Sequence, residues 1–82
     1  MDVRKVIGEN LRRSRVSQDL TQEAVAGRMG LDRAYISGLE RGERNPTAIT
    51  LWRLAIALGI EPAELLKRPE PLSRSKGKLS RS

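Results

Sequence analysis

The chain has 82 residues, enough for one small domain, and its 38% hydrophobic content allows only a modest core, so low stability or support from dimerisation is expected. It has no cysteine and no histidine, which removes disulfides, thiolate and imidazole metal sites and histidine acid–base catalysis, and leaves no metal or cofactor to expect. The net charge of +6 favours an anionic partner, nucleic acid before a membrane surface, while the lack of a ~20-residue apolar run or a signal-like N-terminus predicts a cytoplasmic protein.

A first helix is predicted over residues 3–16, where Val3, Ile7 and Leu11 recur at i, i+4 and i+8 on one face. Arg4, Lys5, Arg12 and Arg13 fall mostly elsewhere and read as a solvated basic face. After Ser17-Gln18-Asp19 comes LTQEAVAGRMGLDRAYISGLERGERN, residues 20–45, the most informative stretch of the chain. Thr21 is a good N-cap, Leu20 and Val25 have the spacing of a hydrophobic staple, and Val25, Ala26 and Met29 form an apolar stripe that ends at Gly30. Asp32 starts a further helix over about residues 33–41, with Leu31 and Ile36 repeating the staple and Gly42 stopping it. Two short helices joined by a turn with Gly form a helix-turn-helix arrangement. Neither is long enough to stand alone, so the rest of the chain must supply their core.

Glu43-Arg44-Asn45-Pro46 is a loop, since Pro46 cannot continue a helix and disfavours a helical Asn45. Thr47 caps a fourth helix that is apolar almost all round: Ile49, Leu51, Trp52, Leu54, Ala55, Ile56 and Leu58. Such a helix is either the central core helix or a core helix with a partner face. Gly59 ends it, and Pro62 opens a fifth with Leu65 and Leu66 as its apolar contribution. From Pro69 the sequence PEPLSRSKGKLSRS is rich in Pro, Ser and Lys/Arg and is expected to be a disordered basic tail, solubilising or phosphate-contacting. Residues 1–68 hold 12 Lys/Arg against 9 Asp/Glu and residues 69–82 hold 4 against 1, so the tail carries half the charge excess. Five helices with short connections and no strand pattern give an all-α, compact domain at 1–68 followed by the tail at 69–82.

Leu20–Ala26 as L-T-Q-E-x-x-A, Gly30–Gly42 as G-L-D-R-x-Y-I-S-x-L-E-R-G, Asn45-Pro46, and Leu51–Gly59 as L-x-x-L-A-x-A-L-G resemble the Cro and phage-repressor-like helix-turn-helix family, also called the XRE family. The match covers about residues 3–67, and LDRAYISGLERGERNP resembles the controller proteins of restriction–modification systems. The resemblance implies a lambda-repressor-like five-helix fold, a homodimer on a palindromic operator in double-stranded DNA, and a third helix lying in the major groove. At 100° per residue, Leu39 and Glu40 lie within about 60° of Ile36 on the inward face. Ala34, Ser37, Gly38 and Arg41 occupy the opposite face, with Arg33 and Tyr35 at its flanks.

Arg33, in the first turn, is the candidate for base contact, because an Arg paired with guanine is the commonest specific contact; the alternative is a solvent-exposed Arg. Ala34 and Ser37 are small enough to let the helix approach DNA, and the resemblance places bases, a thymine methyl or phosphate at these positions. Gly38 costs ~1 kcal/mol mid-helix relative to Ala, which close approach of DNA would explain. Tyr35 either donates to phosphate or packs at the flank. Gln22 opens the second helix, where the resemblance implies phosphate binding and bracing of the recognition helix. Arg41, Arg44 and Asn45 are expected to include at least one phosphate contact.

The resemblance also implies a buried ion pair between Arg15 and Glu40, and an unpaired carboxylate on the inward face would be costly. A symmetric dimer contact through Trp52, Ile56, Ile60, Leu65 and Leu66 is expected, the alternative being that these close one monomer's core. A sequence-specific regulator competes with an antitoxin-type or phage-type repressor and with a protein-interaction module that does not bind DNA. Nothing supports an enzyme, since Ser37 has no base partner and the carboxylates form no pocket signature.

Overall fold

The computed structural model describes residues 2–68, and these form five helices with no strand among the described residues. They are α1 (Val3–Ser17), α2 (Gln22–Met29), α3 (Arg33–Glu40), α4 (Ala48–Leu58) and α5 (Pro62–Leu65). The tail expected at 69–82 lies outside the described residues.

Local signals set the helix starts. The side chains of Asp2, Thr21 and Thr47 accept from the backbone amides of Arg4, Ala24 and Thr50, each satisfying one orphan donor. Asp32 stands at the N-cap of α3 but makes no side-chain cap bond. The first four helices end alike. Asp19, Gly30, Gly42 and Gly59 all have positive φ, between 58° and 75°. The next amide then reaches back five residues, from Leu20 to Arg15 O, Leu31 to Ala26 O, Glu43 to Gly38 O and Ile60 to Ala55 O.

The core is aliphatic: Leu11, Val25, Ile36, Leu39, Leu54, Leu58 and Leu65 are almost fully buried. Gly8 lets α1 approach α3, because a Cβ there would collide with the backbone carbonyl oxygen of Leu39. Helices α2 and α4 exchange arginines across their contact. Arg28 Nη1 donates to Ala57 O at 2.7 Å, and Arg53 Nη2 donates to Met29 O at 2.8 Å, so each cation sits at the other helix's C-terminal end. Asn10, a buried polar side chain, donates to Leu65 O at 2.9 Å and Lys67 O at 2.7 Å and ties the end of the described chain to α1.

Of the two readings of α4, the structure has the core helix with an open face. Leu54, Ala55, Ala57 and Leu58 are buried, while Ile49, Trp52 and Ile56 are 73%, 61% and 68% exposed. Leu66 adds to the exposed apolar surface and Ile60 is half-buried against the core. Leu65 corrects the sequence-based expectation. It is fully buried inside one monomer and is not available to a partner, because the four-residue α5 points it into the core against α1 and α4.

Candidate nucleic-acid interface

Helix α3 turns Ile36 and Leu39 into the core and presents Arg33, Ala34, Ser37 and Arg41 on its other side. Arg33 and Ala34 are exposed, Ser37 is partly exposed, and no large aliphatic side chain interrupts them. This strip follows from sequence: the only bulky apolar residues of α3 recur at the spacing of its buried side.

Behind the strip lies a buried polar network. The Arg15 guanidinium on α1 clamps the Glu40 carboxylate with two hydrogen bonds, Nη2 to Oε1 at 3.0 Å and Nε to Oε2, and donates its remaining Nη1 to Leu20 O at 2.8 Å. The Glu40 side chain is only 5% exposed and that of Arg15 13%. Burial pushes the Glu40 carboxyl up, but hydrogen bonds from Arg15 and Gln22 outweigh it and hold the group below the usual carboxylate range. Gln22, at the first position of α2, donates Nε2 to Glu40 Oε1 at 3.0 Å and accepts from Arg33 Nη1 through Oε1 at 3.2 Å. Gln22 and Arg33 therefore stand side by side at the edge where the N-termini of α2 and α3 meet.

The far end of α3 carries the other cations. Arg41 donates to Ser37 Oγ and pairs with Glu43 at 3.1 Å. Arg44 folds back over the Tyr35 ring, 5.4 Å from its centroid. It also covers Gly38, where a Cβ would sit 3.1 Å from Arg44 Cγ. Gly38 is consequently buried and not open to DNA in this conformation, which corrects the expectation of a bare approach point; the missing side chain makes room for Arg44. Asn45 is exposed beside it. Tyr35 is half-buried against the core.

Lys5 is exposed, in keeping with the solvated basic face read from the sequence, and its stem lies against Gly42, whose added Cβ would be 2.9 Å from Lys5 Cγ. That brings a cation from α1 to the end of α3, a contact between distant positions for which the sequence holds no local signal. The dimer candidates Trp52, Ile56 and Leu66 lie on exposed surface, in a separate group from the α3 strip. Among the described residues no group of acidic side chains could hold a metal ion, and no helix is long and apolar enough to cross a membrane.

Comparison with known proteins gives this site a context. A family model described as Helix-turn-helix matches residues 11–65. A helix-turn-helix-type transcriptional regulator of Sinorhizobium fredii, y4dJ, is 53% identical over 66 residues, covering 80% of this chain and 86% of that one. The restriction–modification controller protein C.AhdI of Aeromonas hydrophila has a similar structure, with a TM-score of 0.73 at 45% identity over 76% of this chain and 94% of its own. The controller protein C.Esp1396I, solved as a tetramer on its natural 35-base-pair operator, aligns with a TM-score of 0.70 at 29% identity over 82% of this chain and 99% of its own.

Proposed function

Because the chain belongs to the helix-turn-helix family and is a DNA-binding transcriptional regulator, we propose that it acts as a homodimer on a near-palindromic operator and controls a restriction–modification operon. One observation carries the reading: the outer strip of α3 is small and polar and is bounded by Arg33 at one end and by Arg41 and Arg44 at the other. A small polar helix face fits a major groove, with Arg33 reaching base edges and Arg41 and Arg44 facing phosphate. In this reading Arg33 contacts a guanine, and Ala34 and Ser37 line the groove. Gln22 offers its second amide proton to a phosphate. Arg41, Arg44, Asn45 and the Tyr35 hydroxyl serve the backbone, with Arg44 leaving the Tyr35 ring to do so.

The dimer uses the exposed stripe of Ile49, Trp52 and Ile56 on α4 with Leu66 beside α5. A contiguous apolar surface of this kind marks an interaction site, and a two-fold axis lets the same patch cover its own copy. The controller assignment is supported by the likeness to C.AhdI and to C.Esp1396I. The action is cytoplasmic and involves no catalytic step.

Selection of binding sites from random duplex DNA tests the proposal. The expected product is a near-palindrome with half-sites one helical turn apart, about 34–36 Å. Affinity for it should fall steeply and linearly on a log–log plot against salt. Recovery of no enriched sequence would overturn the reading of α3, and an enriched site without two-fold symmetry would overturn the dimer.

A further inference from the structure

The network behind α3 runs in one chemical direction. The Arg15 guanidinium only donates, and the ionised Glu40 carboxylate only accepts. The Gln22 amide has one donating and one accepting end, so its neighbour decides which way round it sits. Because Glu40 Oε1 can only accept, the Gln22 nitrogen must face it at 3.0 Å. The Gln22 carbonyl oxygen then faces the other way and can only accept, and it meets Arg33 Nη1 at 3.2 Å. A neutral amide at position 40 would remove the Glu40 side of this constraint, since it offers Gln22 a donor as readily as an acceptor. It would leave only the surface-exposed, donor-only guanidinium of Arg33 to orient Gln22.

We infer that Glu40 is a positioning residue for DNA sequence readout, acting through the orientation of the Gln22 amide on the guanidinium of Arg33. The inference rests on the proposed base contact of Arg33. Glu40 itself touches no DNA: its side chain is 5% exposed and is enclosed by Arg15 and Gln22. The relay holds Arg33 in one orientation before DNA arrives, which lowers the ordering cost of the guanine contact. It also links selectivity to the folded core, because Glu40 is fixed in turn by Arg15 on α1.

The test compares Glu40→Gln, Gln22→Met, the double variant and Arg33→Ala, all at a temperature where circular dichroism shows each to be folded. Binding is measured to the selected operator and to operators changed at the guanine that Arg33 reads. Glu40→Gln and Gln22→Met should each reduce discrimination at that base by about tenfold per half-site. The double variant should lose no more than either single change. In the free protein, the side-chain amide resonances of Gln22 should lose their hydrogen-bonded shifts in Glu40→Gln. Gln22→Met leaves the Arg15–Glu40 pair intact, so it keeps the test valid if Glu40→Gln is poorly folded. Lower stability of Glu40→Gln with undiminished discrimination would overturn the relay and leave Arg33 as a base contact. Additive losses in the double variant would also overturn it, since Glu40 would then act by another route. Unchanged discrimination in Arg33→Ala would remove the base contact and the relay with it.

Discussion

At the scale of single residues, a few charges have unequal tasks. Arg33→Ala should flatten preference at one guanine per half-site and cost roughly 1–3 kcal/mol there. Arg44→Ala should weaken operator and scrambled DNA alike and make the salt slope shallower. A titration of both variants against both DNAs at several salt concentrations separates these outcomes. Glu40→Ala leaves Arg15 buried without its partner and should cost on the order of 3–5 kcal/mol, far more than Glu43→Ala at the exposed Arg41 pair. The same carboxyl gives the fold a pH dependence. Folded Glu40 binds its proton less tightly than unfolded Glu40, so in acid unfolding takes up a proton. Its stabilisation is complete above the range where an unfolded Glu titrates and is lost as pH falls through that range to the lower folded value. Melting curves from neutral pH downward should show a shallower acid slope for Glu40→Gln than for the parent. The position of Glu40 was legible because its 40° offset from Ile36 follows from helical spacing alone. The covering of Gly38 by Arg44 was not, since the two meet only after the turn at Gly42 folds the chain back.

At the scale of helices, legibility follows the range of the interaction. The caps at Thr21 and Thr47 and the glycine endings at Gly30, Gly42 and Gly59 depend on neighbours within about five residues and could be read directly. Asp32, in contrast, stands at its N-cap without a cap bond, and the Asp2 cap went unread. Asp19 forms the same left-handed ending to α1 without a glycine to announce it. Replacing it with glycine should leave stability unchanged or raise it by about 1 kcal/mol, measured by denaturant unfolding, because a left-handed conformation costs an ordinary residue about that much. Which side of α4 faces inward could not be read, because Trp52 and Ile56 are as apolar as Leu54 and Leu58; only the positions of α2 and α5 decide it. The fate of Leu65 was hidden for the same reason. Gly8 was silent in the sequence although α1 and α3 meet across it. Gly8→Ala should lose about 1–3 kcal/mol despite alanine's better helix propensity, since the new methyl meets a backbone oxygen that cannot move aside. Thermal melts that show a more stable Gly8→Ala protein would refute that close approach.

For the whole molecule, the proposed dimer contact on α4 and the proposed DNA contact on α3 lie on different helices. Trp52→Glu should keep the fold yet weaken the dimer by about 2 kcal/mol or more, roughly thirtyfold, because it puts a charge into the centre of the apolar stripe. Sedimentation velocity should then show a monomer at concentrations where the parent sediments as a dimer. A chain ending at Arg68 should melt at the temperature of the full chain, since residues 69–82 offer only two leucines for burial. Two arginine bonds, from Arg28 and from Arg53, fasten the C-terminal end of α2 to α4. A dimer built on α4 would therefore carry its two reading heads like the jaws of a caliper with a locked joint. One base pair inserted at the operator's centre shifts a half-site by about 3.4 Å and rotates it by about 35°. A locked caliper cannot follow that change, so such an operator should be bound through one half-site only. Arg53→Met, which removes one of the two arginine fastenings, should widen the range of spacings the protein accepts.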